Sequence, residues 1–172
     1  MLEFLERIGW FVGLVLVQVL VLSHVHIYGY ATPFLYIFFV LSLNSGIDRN
    51  ILLIWAFAIG LTVDIFCNTP GMHTAAITLV AFLRQPILKG VVIKEVEEEF
   101  EPCISTMGFF PYLKYTLLCT LIFCSVVEMI DTFSFFDLKE LGLKIITDTL
   151  ITLVCIFCVE AVFRRDKSEE RF

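Results

Sequence analysis

Residues 51–90 read ILLIWAFAIGLTVDIFCNTPGMHTAAITLVAFLRQPILKG. Two apolar runs flank Asn68-Thr69-Pro70-Gly71. That tetrapeptide is a strong reversal signal, because proline presets φ and glycine supplies the left-handed conformation. Each run approaches the roughly 20 residues that a helix needs to cross hydrocarbon. The stretch therefore reads as a helical hairpin through a bilayer, with spans predicted over residues 51–67 and 72–90.

The rest of the chain has the same character. Of its 172 residues 59% are hydrophobic and only 17% charged, and the mean hydropathy is +0.90. A soluble domain is nearer half apolar and a quarter charged. Four more apolar runs predict spans over 8–25, 31–45, 109–130 and 144–163. The fold class expected is all-α, a polytopic integral membrane bundle of six transmembrane helices forming one domain over residues 1–172. The opening MLEFLERIGW lacks a basic start and a small-residue cleavage site, so the first run is expected to remain as a span. The formal net charge is −6, which offers no basic patch for nucleic acid.

Lysine and arginine set the orientation, since acidic residues contribute little to it. With the N-terminus cytoplasmic, the inner side carries Arg7, Arg49, Arg84, Lys89, Lys94, Lys114, Arg164, Arg165, Lys167 and Arg171. The outer side carries only Lys139 and Lys144. The bias places both termini in the cytoplasm and makes the span number even.

Ionisable residues at membrane depth are costly and usually face the bundle interior. Gly60 and Asp64 are four apart on the third span and so share a face. Glycine lets another helix approach closely, which puts the carboxylate at that contact. It is expected to be a partner-binding or structural hub, or else an N-terminal cap or wet interfacial group. Arg84 lies roughly 20 Å below the outer surface at 1.5 Å per residue. It is expected to snorkel or to meet an acid, with Glu160 the candidate partner and Asp64 a less accessible one. Pro86 should free a carbonyl and bend or end the helix.

Glu128 and Asp148 read as solvated helix ends, with Asp131 and Asp137 making that face acidic. His24, His26 and His73 all fall on the outer side, but lack the companion ligands of a metal site. Gln18 is placed to hydrogen-bond across helices. Val92, Val96 and Phe100 put an apolar stripe on an acidic segment, 95–101, that faces the cytoplasm. That segment suits a basic protein partner or a solvated helix end. Among the six cysteines, Cys155-x-x-Cys158 has redox spacing but sits mid-span among apolar residues. A packing role fits it better than a reactive thiolate. No cysteine–histidine spacing suits zinc, and no phosphate loop, HExxH or GxSxG is present. No metal, cofactor or enzymatic activity is expected.

Gly60-Leu61-x-x-Asp64 running into Pro70-Gly71, with Arg84 on the next helix, resembles the pattern of the MreD family, the rod shape-determining membrane proteins of bacteria. The size and six-span layout are similar over essentially the whole chain, and the motif covers Gly60 to Arg84. The resemblance implies a non-enzymatic subunit of the cell-elongation complex in the bacterial cytoplasmic membrane. It implies association with an MreC-like single-span protein and, through it, with MreB filaments and with the peptidoglycan polymerase RodA and its transpeptidase partner. The family fold is also similar to the substrate-binding S components of energy-coupling-factor vitamin transporters. That kinship supplies the alternative function, with His24, His26, Asn68 and His73 as its limited polar lining.

Overall fold

The computed structural model describes residues 2–20, 32–92, 100–132 and 138–169. All regular structure among them is helical. The elements are α1 (Leu2–Leu20), α2 (Ile37–Ser42), α3 (Arg49–Cys67), α4 (Met72–Val91), α5 (Ile104–Met107), α6 (Phe109–Thr132) and α7 (Leu138–Glu169). Helices α3, α4 and α6, with Lys139–Val162 of α7, are long and apolar enough to cross a membrane. Four such helices make this a multi-pass membrane protein by length and composition.

The long helices pack in chain order, α1 on α3, α3 on α4, α4 on α6 and α6 on α7, while α2 touches α1, α3 and α4. Along α3 the buried residues are Leu52, Ala56, Ile59, Gly60, Val63 and Asp64. They recur every three or four positions, which makes one inward stripe. Ile54, Phe57, Leu61 and Ile65 are exposed on the other side, where lipid is the natural solvent for an apolar face. Helix α4 is central and buries its own stripe of Ala76, Ile77, Val80, Ala81, Arg84 and Leu88.

The predicted hairpin forms as read. Asn68 adopts the left-handed conformation with φ 56° and ψ 39°, which asparagine tolerates better than most residues. Its N–H and that of Thr69 both bond the carbonyl of Asp64. Gly71 follows at φ 83°, a value that glycine adopts without steric cost. At Gly60 an added Cβ would lie 2.6 Å from Thr74 Cα and 2.8 Å from Ile77 Cγ2. The absent side chain is therefore what lets α3 and α4 cross so closely.

Three expectations need correction. The span predicted over 31–45 is not one helix. Only Ile37–Ser42 is helical, a length of about 9 Å against roughly 30 Å of hydrocarbon. Residues 34–41 are nonetheless buried without a break. A run enclosed on all sides shows no periodicity that tells helix from irregular chain. Pro33 also lacks a backbone N–H, and Leu43 leaves the helix extended at ψ 147°. Second, α4 runs through Pro86 to Val91, so this proline neither ends the helix nor marks its boundary. Third, α7 begins at Leu138 rather than near Lys144, converting part of the expected loop into helix. The first predicted span keeps its apolar stretch Ile8–Leu20, and its remainder to residue 25 lies outside the described residues. His24, His26 and Asp137 lie outside them too, as does most of the acidic segment.

Candidate functional site

The Gly60–Arg84 motif divides into two polar centres at different depths. The outer one is built on Asp64. Helix α4 starts after Gly71, a residue with no side chain to cap the orphan N–H groups of its first turn. Asp64, at the end of α3, supplies the missing cap. Its Oδ1 accepts the N–H of His73 at 3.0 Å and its Oδ2 that of Thr74 at 2.9 Å. These are the second and third positions of the helix, the ones an N-cap side chain normally serves. The hydroxyls of Thr69 and Thr74 donate to the same carboxylate. Asp64 is buried, and four donors together with the positive end of α4 stabilise its charge. Pro70 is exposed in the turn. His73 is buried, its Nδ1 2.8 Å from the Tyr36 hydroxyl. No group of three or more histidine, cysteine or acidic residues able to hold a metal occurs among the described residues.

The inner centre is built on Arg84, which is fully buried. Ten residues along α4 from Thr74, it lies about 15 Å below the Asp64 cap. Its guanidinium donates to the carbonyl of Leu43, to that of Asn44 at 3.4 Å and to the Tyr115 hydroxyl at 2.9 Å. The Tyr115 hydroxyl in turn donates to the carbonyl of Leu41. Gln85 Nε2 donates to the carbonyl of Ser45. The carbonyls where α2 runs out are thus taken one after another by side chains from α4 and α6. Backbone carbonyls are an established way to satisfy a cation at membrane depth.

The expected ion pair of Arg84 with Glu160 does not form. Glu160 Oε1 accepts the N–H of Ile104 at 3.1 Å, and Oε2 lies 3.5 Å from the Tyr112 hydroxyl. Each charge is taken by backbone or hydroxyl partners close to its own depth, so neither needs the other. Nor does Arg84 meet Asp64.

The same logic holds the other end of the buried segment. Gln18 on α1 donates from Nε2 to the carbonyl of Pro33 at 3.0 Å and accepts the N–H of Leu35 at 2.8 Å. From α7, Asp148 Oδ1 accepts the N–H of Thr32 and Thr152 Oγ1 accepts that of Phe34. Irregular backbone survives at membrane depth only when enclosed and satisfied in this way. Gln18 was legible as a cross-helix donor. Tyr115, Thr152 and Asp148 were not, because they read as an aromatic, a small polar residue and a solvated helix end. Asp148 and Glu128 are in fact buried at 1% and 8% exposure, which corrects the solvated reading. The six cysteines are free, with Cys119 and Cys124 buried and Cys158 exposed on the surface of α7.

No protein-family model, curated protein or solved structure matches this chain.

Proposed function

We propose that the protein is a non-enzymatic scaffold subunit of the bacterial cell-elongation complex, of the MreD type, in the cytoplasmic membrane. In this reading it crosses the membrane six times, the enclosed 32–45 segment crossing largely as irregular chain rather than as a helix, with both termini cytoplasmic. It docks an MreC-like single-span protein and through it couples MreB to RodA and its transpeptidase partner. The observation that supports it is the use made of the hairpin's charges. Asp64 is spent on backbone groups at the start of α4, which stiffens the α3–α4 pair as a docking element, and Arg84 ties that pair to the buried segment. The exterior of that pair is left apolar, with Ile54, Phe57, Leu61, Ile65 and Phe82 exposed. The test is affinity purification of the intact protein in mild detergent, with identification of what accompanies it. The expected companion is a single-span protein with an extracytoplasmic domain, and depletion should round rod-shaped cells. Normal rods after depletion would remove the proposal.

The alternative, an S component of a vitamin transporter, draws support from the buried irregular segment, since interrupted helices line substrate sites in many transporters. It requires a small molecule bound to the purified protein and an ATPase module that co-purifies with it.

A further inference from the structure

One buried group is not absorbed by the capping scheme. Helix α6 carries Tyr112, Thr116, Thr120, Cys124 and Glu128 at steps of four, all buried. Residues four apart lie on one face, so these form a polar seam along the helix. Helix α7, packed on α6, buries Asp148, Thr149 and Thr152. Toward the outer end the seam brings the Glu128 and Asp148 carboxyls beside each other.

Two carboxylates cannot hydrogen-bond each other, since both are acceptors only. A proton between them would supply the missing donor. Both groups are withdrawn from water, and two like charges so placed cannot both remain ionised without a large penalty. Asp148 is the fixed member, because its Oδ1 holds the N–H of Thr32 at 2.9 Å. Glu128 is the open member, because its Oε2 is buried without a partner among the described residues, as is Thr120 Oγ1. The charged and titratable groups facing the pair are Lys144 on α7 and Asp131 and Cys124 on α6. The 32–36 segment contributes the Thr32 backbone N–H.

We propose that Glu128 and Asp148 form a proton-binding site within the bundle, with one proton held between the two carboxyls. In the loaded site the Glu128 O–H donates to Asp148, which keeps Thr32 tethered. Departure of that proton leaves two adjacent carboxylates, one of them the anchor of the buried segment. Proton occupancy is thereby coupled to the hold on residues 32–36.

Infrared spectroscopy of the full chain tests this, in a maltoside detergent free of ester carbonyls. Glutamate labelled with ¹³C at the carboxyl shifts the side chain's band. At neutral pH the wild type should show a protonated-carboxyl stretch that moves on deuteration and on labelling. Glu128→Gln, which retains a donor to Asp148, should lose that band while remaining monodisperse and helical. Should that variant misfold, Asp148→Asn replaces it, and loss or displacement of the same band is expected. Absence of the band from the wild type overturns the site. So does its persistence unchanged in Glu128→Gln, which would place the proton elsewhere, Glu160 included. Removal of the band by added sodium or calcium chloride at fixed pH overturns it as well, since a metal cation is then the occupant.

Discussion

The α3–α4 hairpin and the buried segment 32–45 solve the same problem by opposite means. Both are short stretches whose backbone groups would be orphaned in hydrocarbon. In the hairpin every satisfying group comes from within ten residues, as Asp64 reaches Thr69, His73 and Thr74. In the buried segment the partners are 17 residues away at Gln18, 41 at Arg84 and 118 at Thr152. A local cap can form as soon as two helices meet. A cap assembled from α1, α4, α6 and α7 exists only when the whole bundle is closed. The hairpin is thus a self-sufficient unit, and the segment is a readout of complete assembly.

The largest expected effect falls on that distinction. Replacing Arg84 by Met keeps the volume of the stem but strands the carbonyls of Leu43 and Asn44 and removes the donor to the Tyr115 hydroxyl. Each buried group left unmade costs about 1–3 kcal/mol, so Arg84→Met should lose several times the effect of a surface change. Thermal unfolding of the detergent-solubilised protein measures it. Arg84→Lys keeps the charge but not the planar fork, and should recover only part. Full recovery by lysine would mean that charge, not the three directed bonds, is what matters. Charge reversal shared between Arg84 and Glu160 should rescue nothing, because the two groups have separate partners.

Asp64 comes next. Asp64→Ala removes four accepted bonds and the N-cap of α4, and loss of a cap alone costs about 0.5–2 kcal/mol. Asp64→Asn keeps one acceptor oxygen and should lose less. Because this cap is local, the damage should be confined to the α3–α4 turn. Hydrogen exchange should rise at His73 and Thr74 while Leu35 stays protected. Equal loss of protection at Leu35 would show that hairpin and segment are one cooperative unit, which breaks the comparison.

The division also explains what could be read in advance. The hairpin was legible because its signals are local: Asn68 before Pro70-Gly71, and Gly60 one turn before Asp64. Span ends at 67 and 72 follow from the same evidence. The segment around Phe34–Leu41 was not, because an enclosed apolar run looks alike as helix or as irregular chain. Its polar partners were visible individually, but only the fold says that Gln18, Arg84 and Asp148 serve one stretch of backbone. Arg84 and Glu160 invited pairing by charge alone. The carbonyls that outcompete the carboxylate carry no signature in sequence.

Gly60→Ala probes the packing that makes the hairpin compact. Its new Cβ would stand 2.6 Å from a backbone atom of Thr74, which cannot rotate away as a side-chain tip could. Overpacking of this kind costs about 1–3 kcal/mol. The α3–α4 crossing must open, and Asp64 is then drawn from the N–H groups of His73 and Thr74. A double variant with Asp64→Ala should therefore be less than additive. Strict additivity would separate the helix crossing from the cap.

The smallest effect should come from Gln18→Leu, and its size decides how firmly the buried segment is held at its outer end. The substitution strands the Pro33 carbonyl and the Leu35 N–H, but hydrogen bonds between membrane helices average only about 0.6 kcal/mol when measured by double-mutant cycles. A loss near twice that value is expected, since two bonds go. Gln18→Glu separates them, because the carboxylate still accepts from Leu35 yet cannot donate to Pro33. A buried carboxylate facing the Pro33 carbonyl is costly, so it should lose more than the leucine variant while charged, and less only where it is protonated and donates to Pro33. The segment has a second clasp on the opposite side, where Thr152 and Asp148 hold Phe34 and Thr32. Gln18→Leu should thus be tolerated alone and become severe with Thr152→Val, which removes the facing acceptor. Independent effects would mean that α1 and α7 hold the segment separately. A combined loss greater than the sum would make residues 32–35 the element that closes the bundle.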